Sequence, residues 1–144
     1  MAATNIYLTF DGNCREAFEF YKSIIGGEFE FSGTFEEMPP QDGMPPMSEE
    51  MKKRIMHISL PLSQGTRLMG SDNFPGMSPP LKRGNDYSIM LSAGSKHEAD
   101  RFFSGLSQGG EVEMEMQDTF WGSYFGSLCD KYGIRWMISF SQEN

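Results

Sequence analysis

The sequence contains few of the side chains from which disulfide frameworks and metal sites are built. Two cysteines, Cys14 and Cys129, and two histidines, His57 and His97, occur among its 144 residues. The cysteines have neither a Cys-x-x-Cys spacing nor a neighbouring pair of histidines, which argues against a zinc knuckle and against a disulfide scaffold. We therefore expect free thiols that are buried or half-buried.

Positive charge is also scarce. Twelve Lys and Arg oppose twenty Asp and Glu, so the formal net charge is −8 at pH 7. Nucleic acids and anionic membranes are bound through clustered basic residues, and the chain has no such stripe. The composition therefore predicts a soluble protein whose partners include neither nucleic acid nor membrane.

Long apolar runs are absent as well. No segment approaches the roughly 20 apolar residues that a membrane-spanning helix needs. The first residues, Met-Ala-Ala-Thr-Asn, contain no basic region followed by an apolar core, so no signal peptide is predicted. A cytoplasmic location is the resulting expectation.

One phrase of the sequence occurs twice, with its two copies about eighty residues apart, at 13–28 and 95–111. Each copy begins with a good N-cap, Asn13 or Ser95, has a glutamate three residues later, and ends at a Gly-Gly pair. Apolar side chains recur at helical spacing, so each copy predicts one amphipathic helix. The predicted buried stripes are Ala17, Phe20, Tyr21 and Ile24, and Ala99, Phe102, Phe103 and Leu106.

Strand signals surround each helix in the same order. One run precedes the helix and three follow it, so each half is predicted as β-α-β-β-β. The predicted strands are 6–10, 28–34, 54–62, 66–71, 87–91, 111–118, 123–130 and 134–140. We expect a single α+β domain over residues 1–144, in which modules 5–71 and 86–141 are joined by a linker over 72–85.

An irregular segment interrupts the first module over residues 35–53. It is rich in proline, methionine and acid, a composition unsuited to a strand or a full helix. Methionine adapts to varied apolar surfaces, which favours a flap over a pocket, with a mobile solvated loop as the alternative. The methionines concerned are Met38, Met44, Met47 and Met51.

Alternation within the strands separates a helix-facing side of each sheet from another, concave side. The apolar set belongs under the helices, which leaves polar and methionine side chains on the concave side. A shared ligand cavity is the functional hypothesis, and a plain solvated sheet face is the alternative. The predicted ligand-binding residues are Tyr7, Thr9, His57, Met69, Ser88, Met90, Trp121, Arg135 and Met137.

Three residues are candidates for catalysis. His57 is the histidine that falls on a predicted strand, and an imidazole can act as acid, base or anion contact near neutral pH. Asp72 follows one predicted strand, Asp118 ends another, and both are candidate general bases. The competing interpretations are a hydrogen-bonded structural histidine and two aspartates that cap turns. No Ser/His/Asp spacing supports a catalytic triad.

Arginine and tryptophan add further candidates. Arg67 and Arg135 occupy equivalent places in the two halves and predict a pair for carboxylate or phosphate recognition, with ion pairs to the acidic segment as the alternative. Trp121, beside Phe120 in a glycine-bounded turn, is predicted to form a pocket wall or a dimer contact. Trp136 is predicted to lie in the core.

As a set, several motifs resemble a known family. They are Y-L-T-F-D-G-N, E-A-F-E-F-Y, I-M-H-I-S-L, L-M-G-S-D, D-T-F-W-G and D-K-Y-G-I-R-W-M-I, spread from about Ile6 to Phe140. The chain resembles the PhnB-like, demethylubiquinone methyltransferase-like branch of the vicinal oxygen chelate superfamily, which includes glyoxalase I, extradiol dioxygenases and the bleomycin resistance proteins. The resemblance implies paired βαβββ modules whose sheets curl into an open barrel, with the helices outside, in a homodimer.

The resemblance also implies where a metal would bind. In the enzymes of that superfamily, the first and last strands of each module supply His, Gln or Glu ligands to a divalent cation. The corresponding positions fall near Ile6, Met69, Ser88 and Met137, none of which is a competent ligand. We therefore expect no metal and no cofactor. A glycine-rich nucleotide-binding turn is missing too, which argues against methyltransferase activity.

These observations favour a metal-free protein that binds a small molecule in the barrel cavity. The alternative is a metal-dependent enzyme, like a glyoxalase, dioxygenase or isomerase, with ligands such as His57 and Asp72 or Asp118. An interaction module whose dimer surface is its function is the third interpretation. The expected partners are a small molecule and a second copy of the chain.

Overall fold

The chain folds into two compact units, of which the first extends to Lys82 and the second begins at Arg83. The structure is a computed structural model that describes residues 2–39, 42–44 and 46–141. No helix in these ranges combines the length and the apolar character that a bilayer crossing requires.

The first unit forms a four-stranded sheet in the order β1-β4-β3-β2. β1 and β4 are parallel, and the other neighbours are antiparallel. A 3-10 turn (Phe35–Glu37) and the short helix α2 lie between β2 and β3. The elements are β1 (Ile6–Phe10), α1 (Cys14–Ile25), β2 (Phe31–Thr34), α2 (Glu49–Lys53), β3 (Ile55–Pro61) and β4 (Arg67–Asp72).

The second unit repeats this arrangement with the order β5-β8-β7-β6, in which β5 and β8 are parallel. Its elements are β5 (Ile89–Ser92), α3 (Lys96–Leu106), β6 (Glu111–Asp118), β7 (Ser123–Cys129) and β8 (Arg135–Ser141). The predicted β-α-β-β-β order is confirmed in each unit. The open barrel stays a prediction of the resemblance.

The two long helices begin at the predicted residues but are capped differently. In α3 the Ser95 hydroxyl accepts a hydrogen bond from the Glu98 amide at 3.0 Å, and the Glu98 carboxylate accepts one from the Gly94 amide at 2.8 Å. Asn13 makes no side-chain cap bond at α1. A carboxylate from the end of β4, Asp72, takes that role instead.

The predicted stripe of α3 is confirmed, because Ala99, Phe102, Phe103 and Leu106 are all buried. The stripe of α1 is partly wrong. Its buried side chains are Cys14, Ala17, Phe18 and Tyr21, which follow the i, i+3, i+4, i+7 pattern. Phe20 and Ile24 lie at the flanks of that stripe and are half-buried.

Strand ends are where the structure departs most from prediction. β5 pairs with β8 from Ile89 onward, so the predicted strand residues Tyr87 and Ser88 precede it and are exposed. β2 begins at Phe31 rather than residue 28. Within the predicted linker, Asp72 ends β4, and Phe74 is buried with its ring 5.0 Å from that of Phe35.

The segment over residues 35–53 contains regular structure at both ends, in the 3-10 turn and in α2. Residues 40, 41 and 45 lie outside the described part of the chain. The four methionines of the predicted flap, Met38, Met44, Met47 and Met51, are half-buried.

Both cysteines are free thiols, as predicted, with Cys14 buried and Cys129 half-buried. Burial is the main cause that raises the pKa of each thiol above its ordinary value. Since the thiolate is the reactive form, neither cysteine is activated as a nucleophile.

Candidate functional site

α1 packs against β3 and β4 on one face of the first sheet. On the opposite face the strand registers bring four side chains into one line, namely Tyr7, Met69, Ser59 and Phe31. Strand alternation adds four more residues to that face, namely Thr9, His57, Arg67 and Ser71. We call these eight residues the first open face.

Three rings of the first open face contact one another. The hydroxyl of Tyr7 is 3.3 Å from Nδ1 of His57, and their rings are stacked with centroids 5.7 Å apart. The Phe31 ring lies on His57 at 5.6 Å. Tyr7 and Phe31 are 50% and 48% exposed, so these rings present apolar area to solvent. We call Tyr7, His57 and Phe31 the ring triad.

A charged group borders the ring triad. The Glu30 carboxylate accepts hydrogen bonds from Nε of Arg67 at 2.7 Å and from the hydroxyl of Ser59 at 2.9 Å. These hydrogen bonds, that of Arg67 first, hold the pKa of Glu30 below its ordinary value. The carboxylate is therefore ionised at neutral pH.

The second unit has a corresponding open face opposite α3. The registers align Met114, Ser127, Met137 and Met90 in one line. Strand alternation adds Ser92, Phe125, Arg135 and Ser139. We call these eight residues the second open face. Its Ser139 hydroxyl donates a 3.7 Å hydrogen bond to the thioether of Met90.

Aromatic residues of the β6–β7 turn contact the second open face. The Trp121 ring packs edge-on against Phe125 at 6.1 Å and is 59% exposed. Phe120 contacts Trp121 at 5.0 Å and is 97% exposed. Both uses predicted for Trp121, a pocket wall and a dimer contact, are compatible with this exposure. Trp136 is fully buried, as predicted.

The two arginines predicted as a pair each bind a carboxylate of their own unit. Nη1 of Arg135 donates to Glu113 at 2.6 Å, as Arg67 does to Glu30. Neither carboxylate belongs to the acidic segment over residues 35–53, so that part of the ion-pair alternative is wrong. Nε of Arg135 is buried and has no partner in the described part of the chain.

Asp72 is committed to the framework. Its carboxylate accepts hydrogen bonds from the backbone amides of Gly12 at 2.7 Å, Cys14 at 3.0 Å and Ile55 at 2.9 Å, and its residue is 3% exposed. It therefore joins the start of α1 to β3 and β4, a structural role that differs from the local turn cap expected as the alternative to catalysis.

Asp118 lies in the other unit from His57 and forms a 3.2 Å ion pair with Lys96, with its side chain 72% exposed. Sequence analysis missed a second buried aspartate, Asp130. Its carboxylate accepts from the amide of Ile134 at 3.0 Å and from Nε1 of Trp136 at 2.8 Å. The sequence D-K-Y-G, a turn that precedes the core residue Trp136, could have indicated that Asp130 caps this turn.

The side chains at the expected metal positions do not fit a divalent cation. The registers pair Tyr7 with Met69 and Met90 with Met137, while Ile6 pairs with Leu68 under the helix. Thioethers and a phenol are poor ligands for hard cations. Within the described ranges, no group of three or more His, Cys, Asp or Glu side chains is arranged to hold a metal ion.

Comparison with known proteins places these observations in a family. The profile of the 3-demethylubiquinone-9 3-methyltransferase family matches residues 2–139. The Escherichia coli (strain K12) protein YjdN is 30% identical over 138 residues, covering 92% of this chain and 91% of YjdN. The crystal structure of Pseudomonas aeruginosa PA1353 shares 38% identity and a TM-score of 0.84, covering 99% of this chain and all of that one.

More distant structures share the fold. A PhnB protein from Bacillus cereus has a TM-score of 0.73 at 22% identity, covering 97% of this chain and 100% of its own. Glyoxalase-related and glyoxalase/bleomycin resistance proteins are also among the structural neighbours.

The family description implies a methyl-donor cofactor, which the residues do not fit. Each unit has a single parallel strand pair, and no glycine-rich strand-to-helix turn of the nucleotide-binding type occurs in the described ranges.

The repeated βαβββ unit, the motifs and the profile match all indicate the same family. The chain belongs to the 3-demethylubiquinone-9 3-methyltransferase family.

Proposed function

We propose that this protein binds a small, partly apolar molecule on the open faces of its sheets without the help of a metal ion. The observation that carries the proposal is the exposure of large apolar side chains on these faces. Tyr7, Phe31 and Met90 are 50%, 48% and 55% exposed. Contiguous apolar area on a soluble protein marks a binding surface, because exposure of such area to water is unfavourable.

The polar groups of the first open face support ligand binding. Ser59, His57 and the Glu30–Arg67 ion pair border the rings of the first open face. Small-molecule sites combine an apolar lining with a few such polar groups, which fix the orientation of the ligand. The candidates Thr9, Met69, Ser88, Met137 and Trp121 remain part of this proposal.

The metal-dependent enzyme remains the alternative. It would use His57 together with Asp72 or Asp118 as ligands. We favour metal-free binding because three backbone amides already use the oxygens of the Asp72 carboxylate. Withdrawing it would leave buried donors unpaired, at a cost of roughly 1–3 kcal/mol each.

A homodimer and a cytoplasmic location belong to the same proposal. The exposed Phe120 and Trp121, in the turn that follows the edge strand β6, support association with a second copy. Sedimentation of the purified protein tests this, since a concentration-independent monomer would remove the dimer.

A thermal-shift screen of metabolites and aromatic antibiotics tests the binding proposal. A ligand present at a hundred times its Kd stabilises the folded protein by about 2.7 kcal/mol, which raises Tm by several degrees. The variants H57A and M137A should reduce this shift. A screen without hits, combined with stoichiometric zinc, nickel, manganese or iron in the purified protein, would favour the enzyme.

A further inference from the structure

The ring triad has no counterpart in the second unit. Since Ser59 faces Met69 in one sheet and Ser127 faces Met137 in the other, the registers can be superimposed. The second unit then has Met90, Met114 and Phe125 in place of Tyr7, Phe31 and His57. A stack of rings that includes hydrogen-bonding groups is therefore specific to the first open face.

The ring triad has the geometry of a stacking surface. The His57 ring contacts the rings of both Tyr7 and Phe31, at centroid distances of 5.7 and 5.6 Å. The plane of the His57 ring makes an angle of 21° with the Tyr7 ring and of 39° with the Phe31 ring. Planar π-systems associate with such rings in offset or edge-to-face arrangements at 4.5–7 Å, worth roughly 0.5–1.5 kcal/mol per pair beyond the buried area.

Gly33 holds open the space that the Phe31 ring occupies. A Cβ at this position would lie 3.1 Å from Cζ and 3.2 Å from Cε1 of Phe31. Gly33 also faces His57 across the β2–β3 ladder. We therefore assign Gly33 as a positioning residue, because a Cβ here would press on the exposed ring and shift it relative to His57.

Glu30 leaves one acceptor available beside the rings. Arg67 and Ser59 both donate to its Oε2 atom. The Oε1 atom has no hydrogen-bond partner in the described part of the chain, and the Glu30 side chain is 40% exposed. An ionised carboxylate oxygen accepts strong hydrogen bonds from N–H donors.

We propose that the first open face binds a planar aromatic ligand with an N–H donor at its edge: the ring lies on the ring triad, and Oε1 of Glu30 accepts the hydrogen bond. This inference rests on the proposed function and narrows it to one face and one ligand class. An aromatic acid is disfavoured, since its carboxylate would meet Glu30 on a chain of net charge −8.

Calorimetric titration with three probes tests the ligand class, at a pH alkaline enough that the base 2-aminoquinoline is uncharged. 2-Aminoquinoline has the ring and the donor, quinoline has the ring alone, and quinoline-2-carboxylate has an anion in place of the donor. A hydrogen bond to a charged group contributes about 1.5–3 kcal/mol. We expect 2-aminoquinoline to bind at least about tenfold more tightly than quinoline, and the carboxylate to bind most weakly.

Two substitutions test the contacts, each with a matched control. E30Q should reduce the tenfold preference for the amino probe to about threefold or less, whereas E28Q, which removes an exposed carboxylate paired with Lys22, should not. F31L should weaken all three probes about fivefold. Y87L removes an exposed ring outside the sheets and should leave the affinities unchanged.

G33A tests the positioning role separately from folding. It should weaken the binding of 2-aminoquinoline less than F31L does, and it should have no further effect when combined with F31L. Additive effects of the two substitutions would overturn the role of Gly33. Thermal unfolding of each variant verifies that it is folded.

The outcomes separate this inference from the proposed function. Binding of the probes that responds to M137A and F125L, but not to F31L or E30Q, would overturn the inference and leave the proposed function standing. Tighter binding of quinoline-2-carboxylate would overturn the donor requirement. Absence of binding by all three probes would overturn the inference, while hits in the metabolite screen would still support the proposed function.

Discussion

The two units share a framework but differ in the side chains of their open faces. Both have a Ser–Met pair at the same register position, and in both the arginine that begins the last strand forms an ion pair with a glutamate. At the three positions of the ring triad, however, the second unit has two methionines and a phenylalanine. On the open faces the comparison isolates the ring triad, because the residue types at 59, 67, 69 and 71 recur at 127, 135, 137 and 139.

The buried aspartates, one in each unit and at different positions, offer the largest test of the framework. Asp72 joins α1 to two strands, and Asp130 joins a turn to the core residue Trp136. D72A and D130A each leave several buried N–H donors without an acceptor, so each should lower the free energy of unfolding by about 4 kcal/mol. Urea denaturation measures this. A loss below about 1 kcal/mol in either variant would contradict the framework role.

Glycine-mediated packing of the helices is the next test. A Cβ on Gly70 would lie 2.7 Å from Cε1 of Phe18 and 2.8 Å from the Leu8 carbonyl oxygen, while one on Gly126 would lie 2.6 Å from the thioether of Met116 and 3.0 Å from the Met114 carbonyl oxygen. The backbone can move less than a methionine side chain to make room for the added Cβ. We expect G70A to destabilise the protein by about 3 kcal/mol and G126A by about 1 kcal/mol.

The reverse order for these two variants in chemical denaturation would show that Met116 is held more rigidly than the backbone of β1. Equal losses would remove this difference between the units.

A hydrogen bond from a tyrosine of β7 to α3 distinguishes the second unit from the first. The Tyr124 hydroxyl donates a 2.6 Å hydrogen bond to Asp100, and this bond is the main cause that raises the pKa of Tyr124 to about 12. The first unit has Met56 at the equivalent strand position. Because the folded-state pKa exceeds the unfolded value of about 10, the folded state retains the proton longer, and stability should fall as pH rises from about 10 to about 12.

Ultraviolet titration of the phenols in wild type and D100N checks this prediction. One tyrosine should titrate near pH 12 in the wild type and at lower pH in the variant. An unchanged titration curve in D100N would contradict the assigned cause.

The exposed ion pairs should have the smallest effect. The side chains of Arg67 and Glu30 are 45% and 40% exposed, and those of Arg135 and Glu113 are 25% and 29% exposed. R67Q should therefore cost less than about 1 kcal/mol. R135Q should cost slightly more, since its partner is more buried. Salt dependence of the wild-type unfolding midpoint gives an independent check.

The duplicated phrase was sufficient to predict the order of elements, because helix caps and apolar periodicity are local signals. Phe18 was missed from the core stripe since two apolar phases overlap in A-F-E-F-Y. Alternation placed Tyr7 and His57 on one face. It could not reveal their contact, because that contact depends on the register between strands that are distant in sequence.

Phe31, Glu30 and Gly33 escaped prediction for the same reason. The start of β2 is set by its pairing with β3, which no local pattern encodes. Asp72 was predicted as a candidate general base because it follows a predicted strand, a position where catalytic carboxylates often lie. Its burial and its backbone partners follow from the packing of α1, which is a tertiary property.

The most direct test of the account is a calorimetric titration of the protein with a ligand from the screen, before and after exhaustive dialysis against EDTA. The account predicts the same Kd in both titrations, because rings, thioethers and ion pairs make the contacts. Loss of binding after chelation, with recovery on adding back a divalent cation, would contradict it and establish a metal-dependent site.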